Sequence, residues 1–299
     1  MAEKVEVVVS DEFIGDRLDV AVSKITARSR SQIQRALREA GFKPSMKVRE
    51  AMNLELSFHD EEKEAMLEPE PVNFEVLYED ADIIVIDKPA PLVVHPAAGH
   101  WYGTLVHGLV YRYPELADSD MRRPGIVHRL DAGTSGLMVI ARNLFSKQKL
   151  TDAFKARSVK KEYLALVYGH PNKGKGTIAS SIGRHPKNRL KMAVVSGGRE
   201  AITEYEVLWS NDKFSFLRCA IHTGRTHQIR VHLKDMGCPI VGDRLYGCNL
   251  KAEWVPKDRF FLHAWKLAFP HPRDGRIMTF RSFLPSELKK ALLGARATN

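Results

Sequence analysis

The sequence predicts an α+β protein: a large domain built on a largely antiparallel, mixed sheet with flanking helices, preceded by a small basic N-terminal module. Three observations carry this. Short runs rich in β-branched and aromatic residues follow one another from Phe74 to His222 with few helical stretches between them, the signature of a sheet closed by hairpins. Apolar residues at helical spacing gather in only a few segments. The charge also changes sign: residues 16–50 hold nine Lys or Arg against four acids, whereas residues 53–80 hold ten acids and one Lys, with Pro69 and Pro71 among them. Prolines stiffen a linker and like charges keep it extended. The boundary is therefore placed near residue 68, giving domains 1–68 and 69–299.

In the first domain, Leu18, Val20, Ala21, Val22 and Ile25 predict a helix over Arg17 to Ile25. Ile33, Ala36 and Leu37 predict a second over Arg30 to Ala40, stopped by Gly41. In the second domain, strands are expected at Phe74 to Tyr78, Ile83 to Asp87 and, after the Lys88-Pro89-Ala90-Pro91 break, Leu92 to His95. A helix over Thr104 to Tyr111 follows. Ile126 to Val127 and Leu137 to Ala141 then read as two strands around a polar turn that carries Arg129, Asp131, Gly133 and Gly136. Because glycines permit backbone angles that a side chain forbids, such a turn can lift Asp131 to the lip of a cleft. Asn143 signals a helix from Leu144 to Lys155. Strands are read at Lys161 to Tyr168, Thr177 to Ile182, Ala201 to Trp209, Phe214 to His222, Phe260 to Phe269 and Ile277 to Phe283, with helices at Thr226 to Asp235 and Ser286 to Leu293.

A net charge of +10 and an isoelectric point near 9.5 favour a polyanionic partner. The surplus is local as well as global, for Lys155 to Arg199 contains eleven Lys or Arg and the single acid Glu162. No apolar run is long enough for a membrane span, and Met1 to Asp11 lacks the apolar core of a secretory signal, so a cytoplasmic protein without membrane association is expected. Cys219, Cys238 and Cys248 form no C-x-x-C pair and are expected to be buried thiols. With no heptad or self-pairing segment in view, a monomer is expected.

Several tempting motifs dissolve on inspection. Gly169 to Gly176 imitates a phosphate-binding loop but has glycine in place of the hydroxyl that would hold magnesium, and the strand-like Thr177 to Ile182 follows it. His222, His227 and His232 stand five residues apart, which walks them around a helix, and no metal or other cofactor is expected. His128-Arg129-Leu130-Asp131 lacks the companions of a kinase loop. Thr223-Gly224-Arg225-Thr226-His227-Gln228-Ile229-Arg230 remains. There a strand end delivers Arg225 to a helix start, where it can pair with a carboxylate in a bidentate fork and keep it ionised, whereas a plain surface arginine there would oppose the helix dipole.

Four blocks, in order, resemble the RluA type of pseudouridine synthase, particularly its larger members that act on large-subunit ribosomal RNA. They are Glu79-Asp80 with Ile83 to Pro89 and Val94-His95-Pro96; His128 to Asp131 with Gly136-Leu137; Lys161-Glu162-Tyr163-Leu164-Ala165; and Thr223 to Leu233 with Gly237 to Asp243. The resemblance implies isomerisation of uridine to pseudouridine in structured RNA without a cofactor, by flipping the base into a pocket. It makes Asp131 the catalytic carboxylate, as nucleophile or as base. It also makes Tyr163 the residue that packs on the base and assists proton removal, and Arg225 the partner of Asp131. Arg129, His128 and Arg230 are implied to contact substrate, Arg129 by replacing the flipped nucleotide. A transfer-RNA synthase and a catalytically silent RNA-binding or ribosome-assembly protein are the rival readings. Arg17-Leu18-Asp19 and Ser29 to Ile33 resemble the αL RNA-binding module of the ribosomal protein S-four type, although Phe42 to Met52 stands where its usual hairpin would be.

Overall fold

The computed structural model describes all residues except 1, 27, 29, 60–66, 98–99, 120–122, 248–253, 255–258 and 299. The chain divides into two compact units, Met1–Met66 and Leu67–Asn299.

In the first unit, β1 (Ala2–Val9) pairs antiparallel with β2 (Met52–His59), and α1 (Leu18–Thr26) and α2 (Arg30–Glu39) pack on the ribbon. Val7, Val9, Leu18, Val22, Ile33, Leu37, Leu54 and Leu56 make its core. Residues 52–59 are thus a strand, not the head of an acidic linker. Met52, Leu54, Leu56 and Phe58 alternate with polar residues, so one face is buried while Glu55 points outward to Lys4. Asp19 is fully buried and accepts from Arg17 Nε and Nη2 at 3.0 Å each and from Gln34 Nε2 at 2.7 Å. Arg17 and Asp19 therefore hold this unit together. Ser29, the side chains of Arg30 and Ser31, and residues 60–66 of the acidic stretch lie outside the described residues.

The second unit is α+β, as expected. Its strands are β3 (Glu75–Glu79), β4 (Ile83–Lys88), β5 (Ser135–Ala141), β6 (Lys160–Tyr168), β7 (Lys175–Arg184), β8 (Met192–Val194), β9 (Arg199–Ser210), β10 (Phe214–Ile221), β11 (Leu262–Pro270) and β12 (Ile277–Arg281). They form one sheet in the order β3-β4-β5-β11-β6-β10-β9-β7-β8, with β12 on β11, and every pairing is antiparallel except β5 with β11. The helices are α3 (Leu105–Arg112), α4 (Glu115–Ser119), α5 (Leu144–Lys155), α6 (Gln228–Asp235) and α7 (Ser286–Arg296). Asn143 caps α5 by accepting from Ser146 N–H at 2.9 Å. Alternate residues of β4 and β5 reach opposite faces. Ile83, Val85, Leu137 and Val139 pack with Leu150 of α5, while Ile84, Ile86, Met138 and Ile140 share a core with Leu105 and Leu109 of α3 and Leu288 of α7. Both faces are covered, which is why these strands read as unbroken apolar runs.

Two expected strands are absent. Leu92 to His95 is a loop because its backbone groups serve other segments: Leu92 N–H donates to Ala132 O at 3.0 Å, and Val93 O accepts from the α3 start, Leu105 N–H, at 2.8 Å. Ile126 to Val127 makes only a single bridge, Ile126 to Ile140. At the other end of the turn, Gly136 has φ +113°, and a Cβ there would lie 2.3 Å from Ala264 O. Glycine is what lets β5 lie against β11. Cys219 and Cys238 are buried free thiols, and Cys248 lies outside the described residues. No described helix is long and apolar enough to cross a membrane.

Candidate active site

The segment from His128 to Gly136 alternates anchored and presented residues. His128 turns away from the cleft: its Nε2 accepts from Val139 N–H at 3.0 Å and its ring stacks on Phe154 at 4.8 Å. Burial, followed by the charge of Lys161, drives its pKa down to about 3, so it is neutral. The substrate contact expected of His128 is therefore not made from this position. It is the pin that fixes the start of the loop. Leu130 is buried, Arg129 between the two is exposed, and Thr134 N–H closes the turn on Asp131 O at 3.0 Å.

Behind Asp131, Lys88 is wholly buried and donates from Nζ to Pro89 O at 2.8 Å, Leu92 O at 2.9 Å and Ala132 O at 3.3 Å. Burial above all, then the nearby Arg259, lowers its pKa to about 7 against the smaller opposing pull of Asp131 and Asp87. Gly133 has a packing reason as well, since a Cβ there would sit 2.7 Å from the ring of Phe260.

Asp131 Oδ2 accepts from Arg230 Nη1 at 2.9 Å. Arg230 is held in turn by Asp243, which accepts from Nε at 2.7 Å and from Nη2 at 3.1 Å, a two-point fork that leaves Nη1 aimed at Asp131. The guanidinium lies over the ring of Phe260, 4.3 Å from its centroid, and 5.0 Å from that of Tyr246. Arg230 is 6% exposed and Asp243 1%. The partner of Asp131 is thus Arg230, and the pairing expected of Arg225 does not form. Arg225 donates from Nε to Glu200 O at 3.0 Å, near Arg157 and Arg199. The reason lies in the local backbone. His227 adopts the left-handed conformation (φ 57°) and α6 starts only at Gln228, so position 225 stays on the rim loop while position 230 faces inward. Gln228 fixes that loop by accepting from Thr223 Oγ1 and Arg225 N–H and donating to Ile202 O and Thr203 Oγ1.

Arg129, Asp131, Tyr163, Arg225, His227 and Arg230 line one cavity of about 100 Å³. Tyr163, from β6, is 7% exposed, and burial together with the charge of Asp131 raises its phenol pKa, so the ring enters the cavity protonated. His227 Nε2 stands 4.0 Å from Asp131 Oδ2. A wider cleft of about 1050 Å³ is bordered by Phe74, Tyr111, Arg259 and Phe283 and does not include Asp131 or Tyr163. Asp80, Asp82 and His271 are the one described cluster with metal-ligand proximity, but Asp82 is already engaged by Arg273, Asn143 and Ser146. Sequence reasoning missed Asp243, His227 and Tyr246 as members of the site. The Gly237 to Asp243 block was visible, but nothing local tied its carboxylate to an arginine thirteen residues earlier.

The cavity thus joins a carboxylate with a fixed cation, a buried aromatic ring and a rim that carries Arg129 and Arg225. The profile of the RNA pseudouridylate synthase family matches residues 82–235, and the chain belongs to that family. It is an RNA pseudouridine synthase of the RluA kind. The ribosomal large subunit pseudouridine synthase D of Nitrosomonas europaea is 38% identical over 98% of this chain and 88% of that protein. The protein of the same name from Pseudomonas aeruginosa is 40% identical over 92% of this chain and 91% of its own length. Among solved structures, human RNA pseudouridylate synthase domain containing 1 is 29% identical, with a TM-score of 0.56 over 76% of this chain and 96% of that one.

Proposed function

We propose that the protein isomerises specific uridines of large-subunit ribosomal RNA, with Asp131 as the catalytic residue. The observation that carries this is the Asp131–Arg230–Asp243 array, which delivers one oriented carboxylate to a cavity shared with Tyr163. The two relatives above, named for large-subunit ribosomal RNA and aligned along nearly the whole chain, support the substrate class. A flipped uridine enters with its ribose toward Asp131 and its base against Tyr163. The carboxylate either attacks C1′ or removes the proton at C2′, and in both cases the N1–C1′ bond breaks with its electron pair leaving on uracil. The base turns against the Tyr163 ring and C5 bonds to C1′. In the first route the bond from Asp131 to C1′ breaks as C5 attacks, and in the second C2′ regains its proton; in both the C5 proton is lost and N1 takes one up, so nothing is added or removed in the net isomerisation. Tyr163, with its phenol protonated, serves by its face and as a donor. Arg129 and Arg225 at the rim suit the phosphates on either side of the flipped nucleotide, and the nine Lys or Arg of residues 16–50 add backbone contacts.

Replacing Asp131 by Asn preserves shape and removes the charge. The expected result is no tritium release from RNA labelled at uridine C5 with RNA binding retained; full activity of this variant refutes the mechanism. Mapping pseudouridine in ribosomal and transfer RNA from cells with and without the gene tests the substrate.

A further inference from the structure

We propose that His227 is the residue that recognises ribose at the target nucleotide, by donating a hydrogen bond to the 2′-oxygen while the 2′-hydroxyl donates to Asp131. The inference rests on the proposed function and extends it to sugar selectivity. His227 belongs to no role assigned so far, yet it sits in the cavity at a left-handed backbone position. A residue other than glycine in that conformation invites a functional reading, and histidine is among the side chains that tolerate it best.

Its protonation is set by a chain behind it. Tyr246 Oη accepts from Met192 N–H at 2.9 Å and lies 2.8 Å from His227 Nδ1. In the proposed arrangement the Tyr246 hydroxyl is the donor to Nδ1, and the imidazole proton sits on Nε2. That nitrogen faces Asp131. The groups around the ring are Asp131 and Arg129 of the catalytic loop, Arg230 of α6, and Asp243 and Tyr246 of the following loop. Burial, the largest influence, lowers the imidazole pKa below its ordinary value, with Asp131 opposing; burial also raises the Tyr246 phenol. Both keep the ring a neutral donor.

The separation decides the ligand. At 4.0 Å, Nε2 and Asp131 Oδ2 are too far apart for a direct hydrogen bond. An oxygen placed roughly 2.8–2.9 Å from each bridges them. It must accept from an N–H and donate to a carboxylate; a water does both, and among the groups of the target nucleotide only a hydroxyl does. Uracil offers carbonyls that only accept and an N–H that only donates, and a phosphate would be repelled by Asp131. Within an RNA chain the 3′-oxygen is esterified, so the free hydroxyl on the flipped nucleotide is the 2′-OH. That group is what separates RNA from DNA, and it is bonded to the carbon beside C1′, where Asp131 acts.

The test uses the whole protein, tritium release from C5-labelled RNA, and a mapped target fragment made with ribose, 2′-deoxyribose or 2′-O-methylribose at the modified uridine. His227→Asn suits the left-handed backbone but is too short to reach; His227→Gln strains it but places an N–H near the Nε2 position. The expected order of turnover is wild type, then Gln, then Asn, with Asn down about 10²-fold in kcat and KM for RNA little changed, while thermal stability runs Asn at or above Gln. Deoxyribose and 2′-O-methylribose slow the wild type, and deoxyribose slows His227→Asn by a smaller factor, because the variant has already lost the bond from Nε2 and has only the one to Asp131 left to lose. Turnover that follows stability, or sugar and side-chain losses that multiply, overturns the inference. If the unaltered enzyme releases no tritium from any RNA, the proposed function fails first and takes the inference with it.

Discussion

Replacing Arg230 by Met removes the one cation that two carboxylates share. Asp243, 1% exposed and fixed by two bonds of 2.7 and 3.1 Å, is left as a buried charge with no partner cation, and Asp131 loses its 2.9 Å contact. Removing one partner of a buried pair costs about 3–5 kcal/mol. For a domain of this size each kcal/mol lowers Tm by roughly 2–4 °C, so a fall of about 6–20 °C is expected. Typical domains hold about 5–15 kcal/mol, so the variant should remain folded at 25 °C. Calorimetry should show the drop, and tritium release should be lost at a temperature where circular dichroism is unchanged. Adding Asp243→Asn removes the orphaned charge; the double variant should recover part of the stability and none of the activity. An active Arg230→Met enzyme, or one as stable as wild type, refutes the claim that this arginine organises the site.

Other expectations follow from the same interior. Lys88→Met strips the donor from three carbonyls behind the catalytic loop; partial relief of the lysine's own desolvation limits the loss to about 2–3 kcal/mol, read by urea midpoint, with activity falling as the loop loosens. Gly136→Ala meets both a positive φ and Ala264 O, and should cost about 3 kcal/mol or more, visible as a fall in Tm and in folded yield. His263 is fully buried between Ser135 and Ser282, and burial lowers its pKa to about 4. Between pH 6.5 and 4 the unfolded chain binds the proton that the folded one refuses, so stability falls as pH drops through that window, by about 3 kcal/mol. Urea midpoints at pH 7 and 4 should show it, and His263→Gln should flatten the slope.

The sheet and most helices were legible because their signals are local: the Asn143 cap, the apolar runs of β4 and β5, the alternation of Thr203, Tyr205 and Val207 with Glu204 and Glu206 in β9. The same alternation was present in Met52, Leu54, Leu56 and Phe58, but the acids around it outweighed it and β2 was taken for linker. The three-residue β8 is too short to carry a pattern. Asp131 stood out because a polar turn between apolar runs has few structural uses. Its partner did not, because Arg225 and Arg230 lie on one short segment and only the left-handed turn at His227 decides which faces inward. A buried arginine on a helix looks like any surface arginine until the carboxylate that neutralises it is located. His128 misled for the opposite reason: adjacent to catalytic residues in sequence, it points to the other side of the loop, where a backbone N–H needed an acceptor.

The order of strands also governs when the enzyme can first act. β11 lies between β5 and β6, yet it is translated 121 residues after β5 ends, since β5 stops at Ala141 and β11 starts at Leu262. At about 5–20 residues per second this is a delay of roughly 6–24 s. Throughout it, the strand carrying Tyr163 and the loop carrying Asp131 have no common neighbour to register them. A nascent chain therefore cannot bring the Asp131 loop into register with Tyr163 through the sheet until β11 is in place.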